Sequence, residues 1–72
     1  MAFDYSKLTG RIVEKYGTRA AFAEAAGFTE GQLSRRLNNL TPFEDRDIYL
    51  CCQLLGIPDS DVTQYFFKPK VR

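Results

Sequence analysis

Side chains of the types that read base edges are concentrated in one short stretch of the first half of the chain. A guanidinium such as that of Arg35 pairs with guanine, and carboxamides such as those of Gln32 and Asn38 pair with adenine. The hydroxyl groups of Thr29 and Ser34 can reach phosphates or bases. These residue types predict a nucleic-acid-reading surface, provided that one helix presents them together.

A helix-turn-helix over residues 18–38 is the element predicted to present them. Thr18 and Thr29 are good N-caps for two helices, and Gly27 suits the sharp turn between them. Gln32, three residues after Thr29, completes a capping box. The apolar residues that recur at helical spacing and face inward are Phe22, Ala23, Ala26, Leu33 and Leu37.

With the two leucines inward, Arg35 points outward on the second helix, between Gln32 and Asn38. Arg19 begins the first helix, where it is placed to hold a backbone phosphate. The alternative is a three-helix scaffold with no binding role, because polar residues on an outward face are also typical of a solvated surface. The coincidence of caps, turn and reading-type side chains favours the binding interpretation.

Three further helices and no strands are predicted. Helix 1 is capped by Asp4 and ends at Gly17, and the sequence Thr41-Pro42-Phe43-Glu44 predicts the start of helix 4. Gly56 ends helix 4, and Pro58 with Asp59 begins a short helix 5 that runs to about Phe66. We therefore predict an all-α fold with one compact domain at residues 1–67 and a short basic C-terminal tail at residues 68–72.

Helix 4 is apolar on more than one side, and its second stripe has two interpretations. Burial is favoured, because a chain of 72 residues has few other places to build a core. The alternative is a surface for self-association, which would make the protein a homodimer. The candidate residues for that surface are Phe43, Leu50, Leu54, Tyr65, Phe66 and Phe67.

Composition excludes several classes of protein. The chain has no histidine and only two cysteines, the adjacent Cys51 and Cys52, so we expect no metal site, no cofactor and no enzymatic activity. Side chains adjacent on a helix diverge by about 100°, so the two thiols cannot bond each other. They fit small hydrophobic residues in a reducing cytoplasm. No signal peptide and no membrane-spanning run is evident.

The charge pattern does not identify a partner. The formal net charge is +1, whereas a strongly basic domain would indicate nucleic acid by itself. Residues 41–67 carry one arginine against five acidic residues, and residues 68–72 add three basic ones.

The chain resembles the lambda-repressor-like helix-turn-helix regulators of temperate phages, nearly end to end. Within that family it is most similar to the small lytic-side regulators of Gram-positive phages, namely the Cro-like and the modulator-of-repression proteins. The segments that carry the resemblance are MAFDYSKL at residues 1–8, FAEA at 22–25, LSRRLN at 33–38, LLGIP at 54–58 and YFF at 65–67.

The resemblance implies a compact five-helix lambda-repressor-like DNA-binding domain that acts in the bacterial cytoplasm at the lysis–lysogeny decision. It also implies a reading role for Gln32, Ser34, Arg35 and Asn38, and a phosphate contact for Arg19. Sequence-specific binding of double-stranded operator DNA is the first hypothesis that follows.

Glu30 and Gly31 depart from the family pattern and support a second hypothesis, an antirepressor that binds the phage repressor protein with the same helix pair. A carboxylate at the tip would complement the basic DNA-binding surface of a repressor. A glycine permits close approach of another chain. Both hypotheses use one set of residues: Arg19, Thr29, Glu30, Gly31, Gln32, Ser34, Arg35 and Asn38.

Overall fold

The architecture is a bundle of five α-helices, known from a computed structural model that describes residues 2–70. Met1, Val71 and Arg72 lie outside the described residues, and with them the first residue of the predicted domain and the end of the predicted tail. The helices are α1 Ser6–Tyr16, α2 Arg19–Ala26, α3 Glu30–Leu37, α4 Asp45–Leu55 and α5 Val62–Phe66. A 3₁₀ turn, Asp59–Asp61, precedes α5, and residues 2–70 contain no strand. The predicted all-α, five-helix fold is confirmed.

The helix-turn-helix forms with the caps that the sequence predicts. The Thr18 hydroxyl accepts a hydrogen bond from the Ala21 N–H at 3.1 Å at the start of α2. Gly27 ends α2 in the left-handed conformation, with φ at 80°. At the start of α3, the Thr29 hydroxyl accepts from the Gln32 backbone N–H at 3.1 Å. The side-chain Oε1 of Gln32 accepts from the Thr29 backbone N–H at 2.9 Å. The start of each of the two helices is therefore held by local side-chain hydrogen bonds.

The core lies where α1, α2 and α4 contact one another and is closed by α5. Fully buried aliphatic residues of α1, α3 and α4 surround Phe22 and Phe66. A chain of edge-to-face aromatic contacts extends this core, since the Phe43 ring lies 5.2 Å from that of Tyr5 and 5.3 Å from that of Phe66. The residues that are less than 2% exposed are Leu8, Ile12, Phe22, Ala23, Leu33, Cys51, Leu55 and Phe66.

Helix α4 begins three residues later than predicted, and the prediction from Thr41-Pro42 was wrong. The Thr41 N–H donates back to the Arg35 carbonyl at 3.2 Å, so it belongs to the end of α3. The next residues run extended and carry Phe43 into the aromatic core. The capping interaction moves to Glu44, whose N–H donates to Asp47 Oδ2 at 3.0 Å. Packing of one aromatic ring thus overrides a local start signal.

Helix α1 also begins slightly later than predicted, at Ser6. The N-cap is Tyr5, whose carbonyl accepts from the Thr9 N–H at 2.8 Å. Asp4 lies one residue earlier, where its Oδ1 accepts from the Ser6 N–H at 2.9 Å in a short turn. The Asp4 N–H donates to the Lys68 carbonyl at 2.7 Å. Pairing with the end of the chain therefore holds this segment extended.

The two ends of the described chain pair with each other. Phe3 and Pro69 form an isolated antiparallel bridge, and the Lys70 N–H donates to the Ala2 carbonyl at 3.1 Å. Phe3 is also held from the other side by the Asn39 side chain, whose Oδ1 accepts from the Phe3 N–H at 2.9 Å and whose amide donates to the Phe3 carbonyl at 3.0 Å. The first residues of the predicted tail therefore pack on the domain.

Asn39 is the only residue other than glycine with positive φ among the described residues, at 63°. Asn39→Ala should lower the free energy of unfolding by about 2–3 kcal/mol, because it removes both bonds to Phe3 and strains the left-handed backbone. Asn39→Gly keeps the backbone free of strain, so its loss should be about 1 kcal/mol smaller. Urea unfolding followed by circular dichroism measures both variants. Equal losses would contradict the role given to the backbone conformation.

Cys51 is fully buried, and this burial raises the pKa of its thiol to about 12, with a further contribution from the charge of Asp47. A thiol whose pKa rises on folding stabilises the fold fully below the pKa of the exposed thiol, about 8.5, and this stabilisation is lost as the pH rises above that value. We expect the melting temperature to fall above about pH 9, more in wild type than in Cys51→Ala. An equal fall in both would contradict this assignment.

Candidate functional site

The candidate site is the outward surface formed by α3 and the first turn of α2. Of the predicted site residues, Arg19, Thr29, Glu30, Gly31, Gln32, Arg35 and Asn38 are exposed, and Ser34 is half-buried. An open groove of about 480 Å³ separates the two helices; it is lined by Thr18, Arg19, Ala20, Glu30, Leu33 and Ser34. The structure therefore brings Arg19, Glu30 and Ser34 together at one groove. We call the exposed side of α3 together with the first turn of α2 the α3 surface.

Several polar groups of the α3 surface already have partners within the protein. The side-chain Oε1 of Gln32 accepts from the Thr29 N–H in the capping box, and the side-chain amide of Asn38 donates to the Ser34 hydroxyl at 3.3 Å. Bidentate reading of adenine needs both the oxygen and the nitrogen of a carboxamide. The internal bonds leave one amide N–H of Asn38 and one oxygen lone pair of Gln32 free, but they fix the orientation from which each carboxamide could read a base.

Charge on the α3 surface is of mixed sign, with two cations and one carboxylate. Arg19 and Arg35 are exposed cations, and Glu30 is an exposed carboxylate at the N-terminal tip of α3. Arg19 and Glu30 line the same groove, one on each helix. This arrangement attracts anions much less than a row of cations would.

Arg19 also borders a second, polar cleft of about 250 Å³ beside the C-terminal end of α3. Lys70 and Asp4 line the same cleft, so two cations are offset there by one carboxylate. The pKa of Asp4 is lowered, first by hydrogen bonds from Ser6 and then by the charges of Lys68 and Lys70, so this carboxylate stays ionised at neutral pH. The position of Lys70 has no signal in the sequence, because it depends on the pairing of the chain ends.

Arg36, the neighbour of Arg35, has a structural role. Its Nε donates to Asp47 Oδ2 at 3.3 Å, and its guanidinium lies over the Phe28 ring, 4.6 Å from the centroid. The side chains of Arg36 and Asp47 are only 15% and 13% exposed. This contact joins α3 to the start of α4 and leaves Arg35 as the outward arginine of the helix.

The residues predicted for self-association do not form one exposed face. Phe66 is buried in the core, and Phe43 packs against it. Tyr65 is half-buried beneath the Lys7 ammonium, which lies 5.1 Å from the ring centroid. Leu54 is half-buried as well. Only Leu50 and Phe67 of this set are exposed, so self-association stays a prediction and Phe66 is not available to it.

Other kinds of site find no support in the described residues. No group of three or more potential ligands among residues 2–70 is arranged to hold a metal ion. None of the helices α1–α5 is long and apolar enough to cross a membrane.

Comparison with known proteins gives a matching family and a similar solved structure. The family described as "Protein of unknown function (DUF739)" matches residues 1–69. The solution structure of the modulator of repression of the temperate bacteriophage TP901-1 from Lactococcus lactis is similar, with 39% sequence identity and a TM-score of 0.83. The similarity covers 100% of this chain and 97% of that one. No curated protein matches.

Neighbouring arginines on α3 should respond differently to truncation. Arg36→Ala should lower the free energy of unfolding by about 2 kcal/mol, because it leaves the half-buried Asp47 carboxylate without its cation and removes the contact with Phe28. Arg35→Ala should change it by less than about 0.5 kcal/mol, since Arg35 is exposed. Chemical unfolding measures both, and equal values would contradict these roles.

Proposed function

Because this chain belongs to the family of proteins of unknown function DUF739, we propose its role from the chemistry of the α3 surface and from its similarity to a phage modulator of repression. The proposed role is regulation of the lysis–lysogeny switch of a temperate phage. The chain would act as a modulator that binds the phage repressor protein with the α3 surface. The single observation that carries this choice is the mixed charge of that surface, with the carboxylate of Glu30 at its tip opposing two arginines.

Affinity for DNA comes largely from cations that neutralise phosphates, often several per protein. The α3 surface offers Arg19 and Arg35, and the carboxylate of Glu30 opposes them. Arg36 is engaged with Asp47 and contributes little to an outward field. The same distribution suits a repressor, whose own DNA-binding surface must carry cations that Glu30 can pair with.

Gly31 supports a protein partner as well. It lies in the first turn of α3, where a β-carbon would meet only the Thr29 hydroxyl oxygen, at 3.9 Å. The fold therefore has room for a side chain at this position and does not itself require glycine. A bare backbone beside Glu30 allows another chain to approach α3 closely.

Binding of operator DNA is the second candidate function. Exposed Arg35 and Arg19 favour it, because a contact of the first with a base edge and of the second with a phosphate would suit a helix-turn-helix on DNA. The two functions do not exclude each other, since a modulator and a repressor can meet on one DNA site.

Reversing the charge of Glu30 separates the two functions by the sign of the effect. Glu30→Lys should weaken binding to the purified repressor of the same phage roughly tenfold, because it replaces an attraction by a repulsion. If operator DNA is the partner, the same variant should bind DNA more tightly. Fluorescence anisotropy with labelled repressor domain and with labelled operator measures both.

Glu24→Lys in the second half of α2 is the matched control, because it makes the same change of net charge at an exposed position that lies outside the first turn of α2 and outside α3. Its repressor binding should equal that of wild type. Tighter DNA binding by Glu30→Lys together with unchanged repressor binding would reject the modulator function in favour of the operator function.

A further inference from the structure

An exposed leucine stands at the C-terminal end of α3. The Leu40 N–H donates to the Arg35 carbonyl at 2.8 Å, and the Asn39 N–H donates to the Arg36 carbonyl at 3.2 Å. These two bonds, with Asn39 in the left-handed conformation, form a Schellman motif. In that motif the residue at the place of Leu40 commonly packs on the residue at the place of Arg35. Here that residue is an arginine, and Leu40 stays 67% exposed.

We infer that Leu40 is an apolar anchor of the surface that binds the repressor. The inference rests on the proposed function and names a residue that none of the sequence patterns singled out. Leu40 extends the α3 surface at the end opposite to Glu30, about 15 Å away along the helix. The partner that suits Leu40 is a basic protein surface with an apolar patch at its edge, against which the leucine side chain can pack.

DNA is a poor occupant for the space above Leu40. The turn after the second helix of a helix-turn-helix lies near the phosphate backbone when that helix enters the major groove. A leucine there offers a phosphate no hydrogen bond and no charge, and it would displace water from it. A protein surface can instead bury the side chain, which removes apolar area from water.

Charge complementarity identifies the protein occupant as basic. Exposed carboxylates outnumber exposed arginines in the stretch around Leu40, since Glu30, Glu44 and Asp45 stand against Arg35 and Arg46. Asp47 is unavailable because it pairs with Arg36. A repressor must present cations on the surface with which it binds its operator. That surface would find carboxylates around an apolar centre at Leu40.

The test compares Leu40→Ser with Tyr49→Ser. Tyr49 lies on the outer side of α4 and is 68% exposed, so the two variants remove equally exposed apolar side chains from different surfaces. Both should melt within a few degrees of wild type. Isothermal titration with the purified DNA-binding domain of the repressor should show about tenfold weaker binding for Leu40→Ser and unchanged binding for Tyr49→Ser.

Three results would overturn the inference. If Leu40→Ser binds the repressor as tightly as wild type does, Leu40 is not an anchor, while the proposed function stays intact. An equal loss in Tyr49→Ser would place the contact elsewhere. A wild-type dimer that Leu40→Ser converts to a monomer in sedimentation equilibrium would make a second copy of this chain the occupant.

Failure of the proposed function itself gives a different result. In that case wild type does not bind the repressor in the same titration, and Leu40→Lys binds operator DNA more tightly than wild type because it adds a cation beside the phosphates. That pair of results would assign the surface at Leu40 to DNA and overturn the inference together with the function.

Discussion

The left-handed turn at Asn39 is the constraint on which the rest of the structure depends. This turn ends α3. The Asn39 side chain binds the backbone N–H and the carbonyl of Phe3, so one residue sets the length of the helix and fixes the N-terminal segment. That segment in turn pairs with the chain around Pro69. The same turn directs Leu40 into solvent. Asparagine suits this position, because it tolerates positive φ and carries both a donor and an acceptor.

Stability and recognition use different residues of one short helix. Gln32 caps α3, Arg36 joins this helix to α4, and Leu33 packs in the core. These three side chains are therefore held by internal partners. What remains for a partner is a small set of exposed groups of mixed chemistry, which includes Glu30 and Arg35. A surface of this kind gains specificity from complementary shape and paired charges more than from a strong field.

The local part of this structure could be predicted from the sequence, and the long-range part could not. Caps and turns such as Thr18 and Gly27 act within a few residues, and the helix-turn-helix they predict is confirmed. The start of α4 was predicted wrongly, because Phe43 belongs to aromatic neighbours far away in the chain. Leu40 gave no periodic signal, since its exposure follows from the turn at Asn39. The negative charge of Glu30 at the tip of α3 was visible in the sequence, but the engagement of Arg36 with Asp47 was not.

Pairing of the chain ends has a consequence for the order of folding. Contacts inside the helix-turn-helix join residues that are close in sequence, whereas Phe3 and Asn39 are 36 positions apart and the Phe3–Pro69 bridge spans almost the whole chain. Closing the longer loops costs more chain entropy. We therefore expect the pair α2–α3 to form first and the two ends of the chain to pair last. The reverse order holds for fluctuations of the native state. Transient fraying of the ends would free the Asn39 amide while α3 itself stays wound.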